Sequence, residues 1–202
     1  MEIVDHKNGV PIEHYRSVFA SMSPEEMAAK SGVPYADGGF SLTLLTRTVT
    51  VSWPEMEAIF TDDGTAAAAN IRILLARLIM EGRLTSAHGK MLAYTDMPWG
   101  NVYAQQFRGR CILRLAGTYG NNLPGFRSAC EQLGGQPAAS GDVSYDMPVL
   151  PGLTLRLILW EGDDEFPAQA QILFSDNFPD AFKAEDNAVV GDIVLNAMKG
   201  RW

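Results

Sequence analysis

This chain is poor in the residues that most often carry chemistry. Its 202 residues include two cysteines, Cys111 and Cys130, and three histidines, His6, His14 and His88. Two thiolates do not supply the four ligands of an ordinary iron–sulfur cluster. No two histidines stand four apart, the helical spacing of a zinc enzyme's ligand pair. Basic residues are also scarce: 16 Lys and Arg against 24 Asp and Glu leave a net charge of -8. With no Lys/Arg run, the chain is ill suited to neutralising phosphates, so nucleic acid and anionic lipid are disfavoured as partners. No apolar stretch is long enough to span a bilayer. Met1 to Asp5 lacks the basic head and apolar run of a signal peptide, so the cytoplasm is the expected compartment, and it suits reduced cysteines. The serine-nucleophile elbow, the Walker loop and the dinucleotide fingerprint are all absent.

What is present is material for a core. Residues of the apolar class make up 47% of the chain, which excludes disorder. No repeat, low-complexity segment or linker divides it, so one domain over residues 1–202 is expected. Helical spacing predicts a first helix from Ile12 to Ser21, with Ile12, Tyr15, Val18 and Phe19 on one face. Ser23-Pro24-Glu25-Glu26 has the cap, the proline and the acid of a second helix start, and Gly32 is a natural end for it. Ala66 to Glu81 carries a wide stripe of Ile71, Leu74, Leu75, Leu78 and Ile79. Leu84 to Trp99 reads as a long loop with short extended pieces. Asn101 to Tyr119 reads as a helix whose apolar side runs through Val102, Phe107, Cys111, Ile112 and Leu115, weakened at Gly109. Leu123–Leu133 and Glu185–Lys199 complete the helices.

Two segments alternate as strands do. Phe40 to Trp53 is a hairpin rich in β-branched residues, ended by Pro54. Val149 to Phe174 is a longer one, following a short strand at Asp142–Met147. Pairing partners whose numbers sum to 327 puts Leu153, Leu155, Leu157 and Leu159 on one face with Ala168, Ala170, Ile172 and Phe174. The other face is half polar, with Arg156, Ile158, Trp160, Gln169 and Gln171. Strands and helices do not alternate regularly, so the fold class is α+β: an antiparallel sheet with helices packed mainly on one face.

Several blocks are similar to an uncharacterised family, a domain of unknown function found mostly in anaerobic bacteria and archaea. They are Pro24-Glu25-Glu26 through Val33, Phe40 to Val51 with Arg47, Tyr103 to Arg110, Val149-Leu150-Pro151, Leu159 to Pro167, and Ala184 to Val190. The most specific block is Leu159-Trp160-Glu161-Gly162-Asp163-Asp164-Glu165-Phe166-Pro167. The resemblance implies relatives with an added iron–sulfur segment, or that occur beside corrinoid and one-carbon proteins. This chain lacks that cysteine cluster, and the resemblance lends it no activity and no cofactor.

The residues offer three candidate sites. Trp160 beside Arg156, Gln169 and Gln171 gives an aromatic plate with polar neighbours, as a pocket for a flat polar ligand needs. Its alternative is packing, with Arg156 paired to Asp142 or Asp146. Tyr103, Arg108 and Arg110 sit on one helix, where either arginine suits a carboxylate or phosphate. The acidic tip, Glu161 to Glu165, offers oxygen ligands and paired carboxylates, but without an ion-binding loop's spacing no metal is assigned. Cys111 has arginines nearby in sequence that lower a thiol's pKa, set against the simpler account of solvated arginines. Three functions follow: a non-catalytic small-ligand-binding or accessory protein of anaerobic metabolism, a protein-interaction module, and an enzyme using the carboxylates of 161–165.

Overall fold

The computed structural model describes residues 9–202, with side chains from Ile12 onward. Met1 to Asp5 and His6 lie outside the described residues. The chain divides after Leu84 into two compact units.

In the first unit, α1 (Gly9–Ser21) and α2 (Pro24–Ser31) precede a small sheet. Ser23 caps α2 by accepting the Glu26 N–H, and Gly32 ends it at φ 76°. The sheet has strands β1 (Tyr35–Ala36), β2 (Gly39–Leu44), β3 (Arg47–Ser52) and β4 (Ala58–Phe60), antiparallel in that order. The expected hairpin is β2–β3, paired from Gly39↔Ser52 to Leu44↔Arg47. Trp53–Pro54 follows, a cis peptide. Alternation turns Phe40, Leu42, Leu44, Val49, Val51 and Phe60 inward. Helix α3 (Ala69–Glu81) covers them with Leu74, Leu75 and Leu78. Arg47 forks onto Asp62 at 2.7 and 2.8 Å, and its guanidinium lies 3.8 Å from the centre of the Phe60 ring. That arginine is structural.

The second unit starts with β5 (Met91–Ala93) and a short 3-10 turn, Tyr94–Asp96. One long helix follows: α4 (Gly100–Phe107), a π segment (Arg108–Ile112) and α5 (Leu113–Tyr119). Then come α6 (Leu123–Gln132), β6 (Gln136–Ala138), β7 (Val143–Leu150), β8 (Leu153–Trp160) and β9 (Gln169–Ser175). The short α7 (Phe178–Ala181) and α8 (Ala184–Ala197) close the chain. The strands form a five-stranded antiparallel sheet in the order β5-β9-β8-β7-β6. The fold class is therefore α+β. The two hairpins, expected in one sheet, lie in separate sheets, and the Ala69–Glu81 helix packs on the first.

The leucine row is buried as its alternation predicts: Leu153, Leu155, Leu157 and Leu159 are at most 1% exposed. The β8–β9 register differs from the expected one by two residues. Leu155 faces Phe174, Leu157 faces Ile172 and Leu159 faces Ala170, so partner numbers sum to 329. An even shift keeps each side chain on its face, and this is why the face was predictable and the register was not. Helices cover the leucine side. Phe107 of α4 lies 5.7 Å from Phe174, and Phe126 of α6 meets Tyr145 edge-on at 5.8 Å. α8 packs on the long helix, where Gly191 comes so close that a Cβ there would stand 2.9 Å from the Cys111 sulfur.

Candidate functional site

The face of the five-stranded sheet away from these helices gathers four of the residues marked in the sequence. Arg156 lies opposite Asp146 on β7, Ile158 opposite Gln171 on β9, and Trp160 opposite Gln169. Arg156 is held by a neighbour across the strands. Its Nε and Nη2 donate to the two oxygens of Asp146 at 2.7 and 2.8 Å, a bidentate pair set by strand register. The hydrogen bond and charge of Asp146 raise the Arg156 pKa further, against partial burial. Gln169 and Gln171 are exposed. Trp160 is 37% exposed, with one edge of its indole toward the turn before β7.

That turn is built for the place. Ser144 Oγ accepts the Ser140 N–H at 3.0 Å and donates to Ala138 O at 2.8 Å. Asp142 accepts the Glu161 N–H at 2.8 Å. Gly141 sits at φ +59°, and a Cβ there would lie 2.7 Å from both Ile158 Cγ2 and Leu159 O. Gly141→Ala is expected to cost about 2–3 kcal/mol, because strain and overlap act together. Chemical denaturation measures it, and a loss below about 0.5 kcal/mol would show that the turn relaxes freely.

The acidic tip is a solvated turn. Asp163 accepts the N–H groups of Glu165 and Phe166 at 2.9 and 2.7 Å, and donates its own N–H to Phe166 O. Those two N–H groups hold its carboxyl below the usual range. Acid catalysis needs the opposite, a carboxyl raised by burial. Among the described residues no group of three His, Cys, Asp or Glu could hold a metal. Behind the tip is a cleft of 460 Å³, lined by Ala116, Gly117 and Asn121 on the helix side and Gly162, Asp163, Asp164, Phe166, Pro167 and Ala168 on the hairpin side.

Tyr103 and Arg108 do not join the sheet group, since their helix packs on the opposite face. Tyr103 is half-buried and Arg108 exposed. Arg110 and Arg114 converge on Asp192 of α8 at 2.8 and 2.5 Å. Between them in sequence, Cys111 is fully buried, its sulfur 3.6 Å from Ala188 O. Burial pushes this thiol up to about 12, with Asp192 adding to the effect and the arginines only opposing it. Burial also raises Cys130. Ellman's reagent is expected to label neither cysteine in the native state and both after unfolding. One fast-reacting equivalent on folded protein would contradict this. His14 and His88 are exposed.

The same helix holds what the sequence concealed. Val102 does not face inward. It precedes the buried Phe107 by five residues, off the Phe107–Cys111–Leu115 line, and is 62% exposed. Trp99 is 77% exposed at a left-handed φ of +64°, which is costly for a bulky residue. Leu113 is 49% exposed. Helical spacing of Val102, Gln105, Gly109 and Leu113 was the available signal, masked by the assignment of Val102 to the core side.

The chain belongs to the family DUF3786, a domain of unknown function, whose model matches residues 23–197 and so runs through both compact units. No curated protein and no solved structure matches it.

Proposed function

We propose that this protein is a non-catalytic interaction module that binds a protein partner through the exposed side of the α4–π–α5 helix. The observation that carries this reading is Trp99, a large apolar side chain 77% exposed. Val102 and Leu113 extend the apolar surface along the helix. Exposed aromatic anchors of this kind supply most of the energy in protein interfaces. Against the enzyme reading, the Asp163 carboxyl is held below the usual range by the Phe166 and Glu165 N–H groups. The resemblance, which implies relatives in anaerobes that occur beside corrinoid and one-carbon proteins, supports an accessory role in anaerobic metabolism. Two buried free thiols suit the cytoplasm.

A single engineered cysteine tests this, because both native thiols are buried. Val102→Cys carrying a short photo-crosslinker is expected to capture a protein in extract of the producing cell, and the same probe at exposed Lys90 is not. No adduct, or equal adducts at both positions, would overturn it. A second reading keeps the small ligand on the open sheet face, favoured by exposed Trp160, Gln169 and Gln171 standing together. Thermal-shift screening with nucleotides, corrinoids, small acids and metals tests that reading, and no shift with any of them removes it.

A further inference from the structure

We infer that the partner on this helix is a second copy of the same chain, paired antiparallel about Gly109, with each copy's Trp99 seated in the other's hairpin-tip cleft. This rests on the reading of the helix as a protein-binding surface.

One helix carries both a projection and a hole. Trp99 and Val102 project at its N-terminal end. The 460 Å³ cleft opens at its C-terminal end, beside Ala116 and Gly117. A two-fold axis sends each end of one copy to the opposite end of the other, so both contacts form twice. Centred on Gly109, the pairing sets Gln105 against Leu113 and Val102 against Ala116. Trp99 then falls beyond, at the cleft. Each buried Trp removes roughly 150–250 Å² from water.

Two further observations fit this arrangement. Gly109 and Gly117 lie in helix interiors with φ in the ordinary range, and a Cβ at either would meet nothing within 4 Å. Nothing inside the fold requires glycine there, although each weakens the helix by about 1 kcal/mol relative to alanine. At the centre and end of a helix pair they allow close backbone approach. Charge is complementary as well. The antiparallel pairing brings the positive N-terminal end of each long helix to the exposed Asp164 and Glu165 tip of the other copy.

The test separates this pairing from general stickiness. Sedimentation of the full chain is expected to show a dimer, and Trp99→Ala to weaken it by roughly thirtyfold. Gly117→Trp fills the cleft from its own chain; a Cβ there meets nothing within 4 Å, a wild-type denaturation midpoint checks that the variant folds, and it is likewise expected to be monomeric. Mixing the two variants is expected to restore a heterodimer, because one intact Trp99 meets one open cleft. A monomeric wild type at all concentrations overturns self-pairing, and capture of a different protein at position 102 then leaves the interaction reading standing. A dimer that survives both variants, or a mixture that stays monomeric, overturns the seating of Trp99. Absence of both dimer and capture overturns the interaction reading itself.

Discussion

Phe174→Ala is expected to lower stability by about 3–5 kcal/mol. Phe174 has no exposed surface and stands at the centre of a ring cluster. Phe178 meets it edge-on at 5.0 Å, and Phe107 and Tyr94 lie at 5.7 and 6.0 Å. Tyr94 and Phe107 are themselves stacked, 4.1 Å apart and 5° from parallel. Across the strand pair, Phe174 faces Leu155 of the leucine row. Truncation removes the buried ring and leaves a cavity walled by rigid aromatics from different elements. Such walls cannot close in on the gap together, so the cavity term adds to the transfer term. Phe174→Leu refills most of the volume and is expected to cost about 1–1.5 kcal/mol. Denaturant midpoints of the three proteins, at constant slope, measure both losses. An alanine loss below about 1 kcal/mol would mean that the leucine row holds the sheet without the ring cluster.

Phe174 also shows what the sequence could reveal. Its side of the strand followed from strict alternation with Ile172, and alternation has a period of two, so the buried face was legible. Its partner across the strand was not. The same period leaves pairings two residues apart equivalent, and the choice between them rests on the tip, where the Asp163 carboxylate gathers two N–H groups to set the loop. Local signals such as the Ser23 cap, the Gly32 end and the Phe40–Trp53 hairpin were legible because each depends on a few neighbouring residues. The division of the strands into two sheets was not, since pairing between distant segments leaves no mark in local pattern. The candidate site divides in the same way. Trp160, Gln169 and Gln171 were brought to one face by alternation alone. Arg156 pairs with Asp146 across the strands, one of the two acid partners open in the sequence. Trp99 was hidden because its exposure depends on how the chain enters α4, through a left-handed residue that nothing in its own side chain favours.

Stability is expected to hold from about neutral pH to about pH 9 and then to fall steeply toward pH 12. The groups responsible sit between the sheet and α8. Tyr94 is 4% exposed and donates its hydroxyl proton to Ala184 O at 2.6 Å, and Cys111 is fully buried against Ala188 O. Burial raises Tyr94 from the ordinary 10.0 to about 12, and Cys111 from 9.0 to about 12. Both groups are neutral when protonated, so the fold favours the form that holds its proton. A raised folded pKa stabilises in full below the unfolded value and is lost as pH climbs through the folded one. For Cys111 the loss begins near pH 9 and for Tyr94 near pH 10, and both are complete only above about 12. At 1.36 kcal/mol per unit, Cys111 alone accounts for a loss on the order of 4 kcal/mol. Burial raises Tyr119 and Cys130 as well, adding to the same limb. The Cys111→Ala, Tyr94→Phe double variant is expected to be less stable at pH 7, having lost a buried hydrogen bond and some packing, yet to show a shallower fall between pH 9 and 12. Urea titrations at a series of pH values measure both slopes. Parallel slopes in wild type and double variant would assign the alkaline loss to other groups, whereas a shallower one places it at the contact between the long helix and α8.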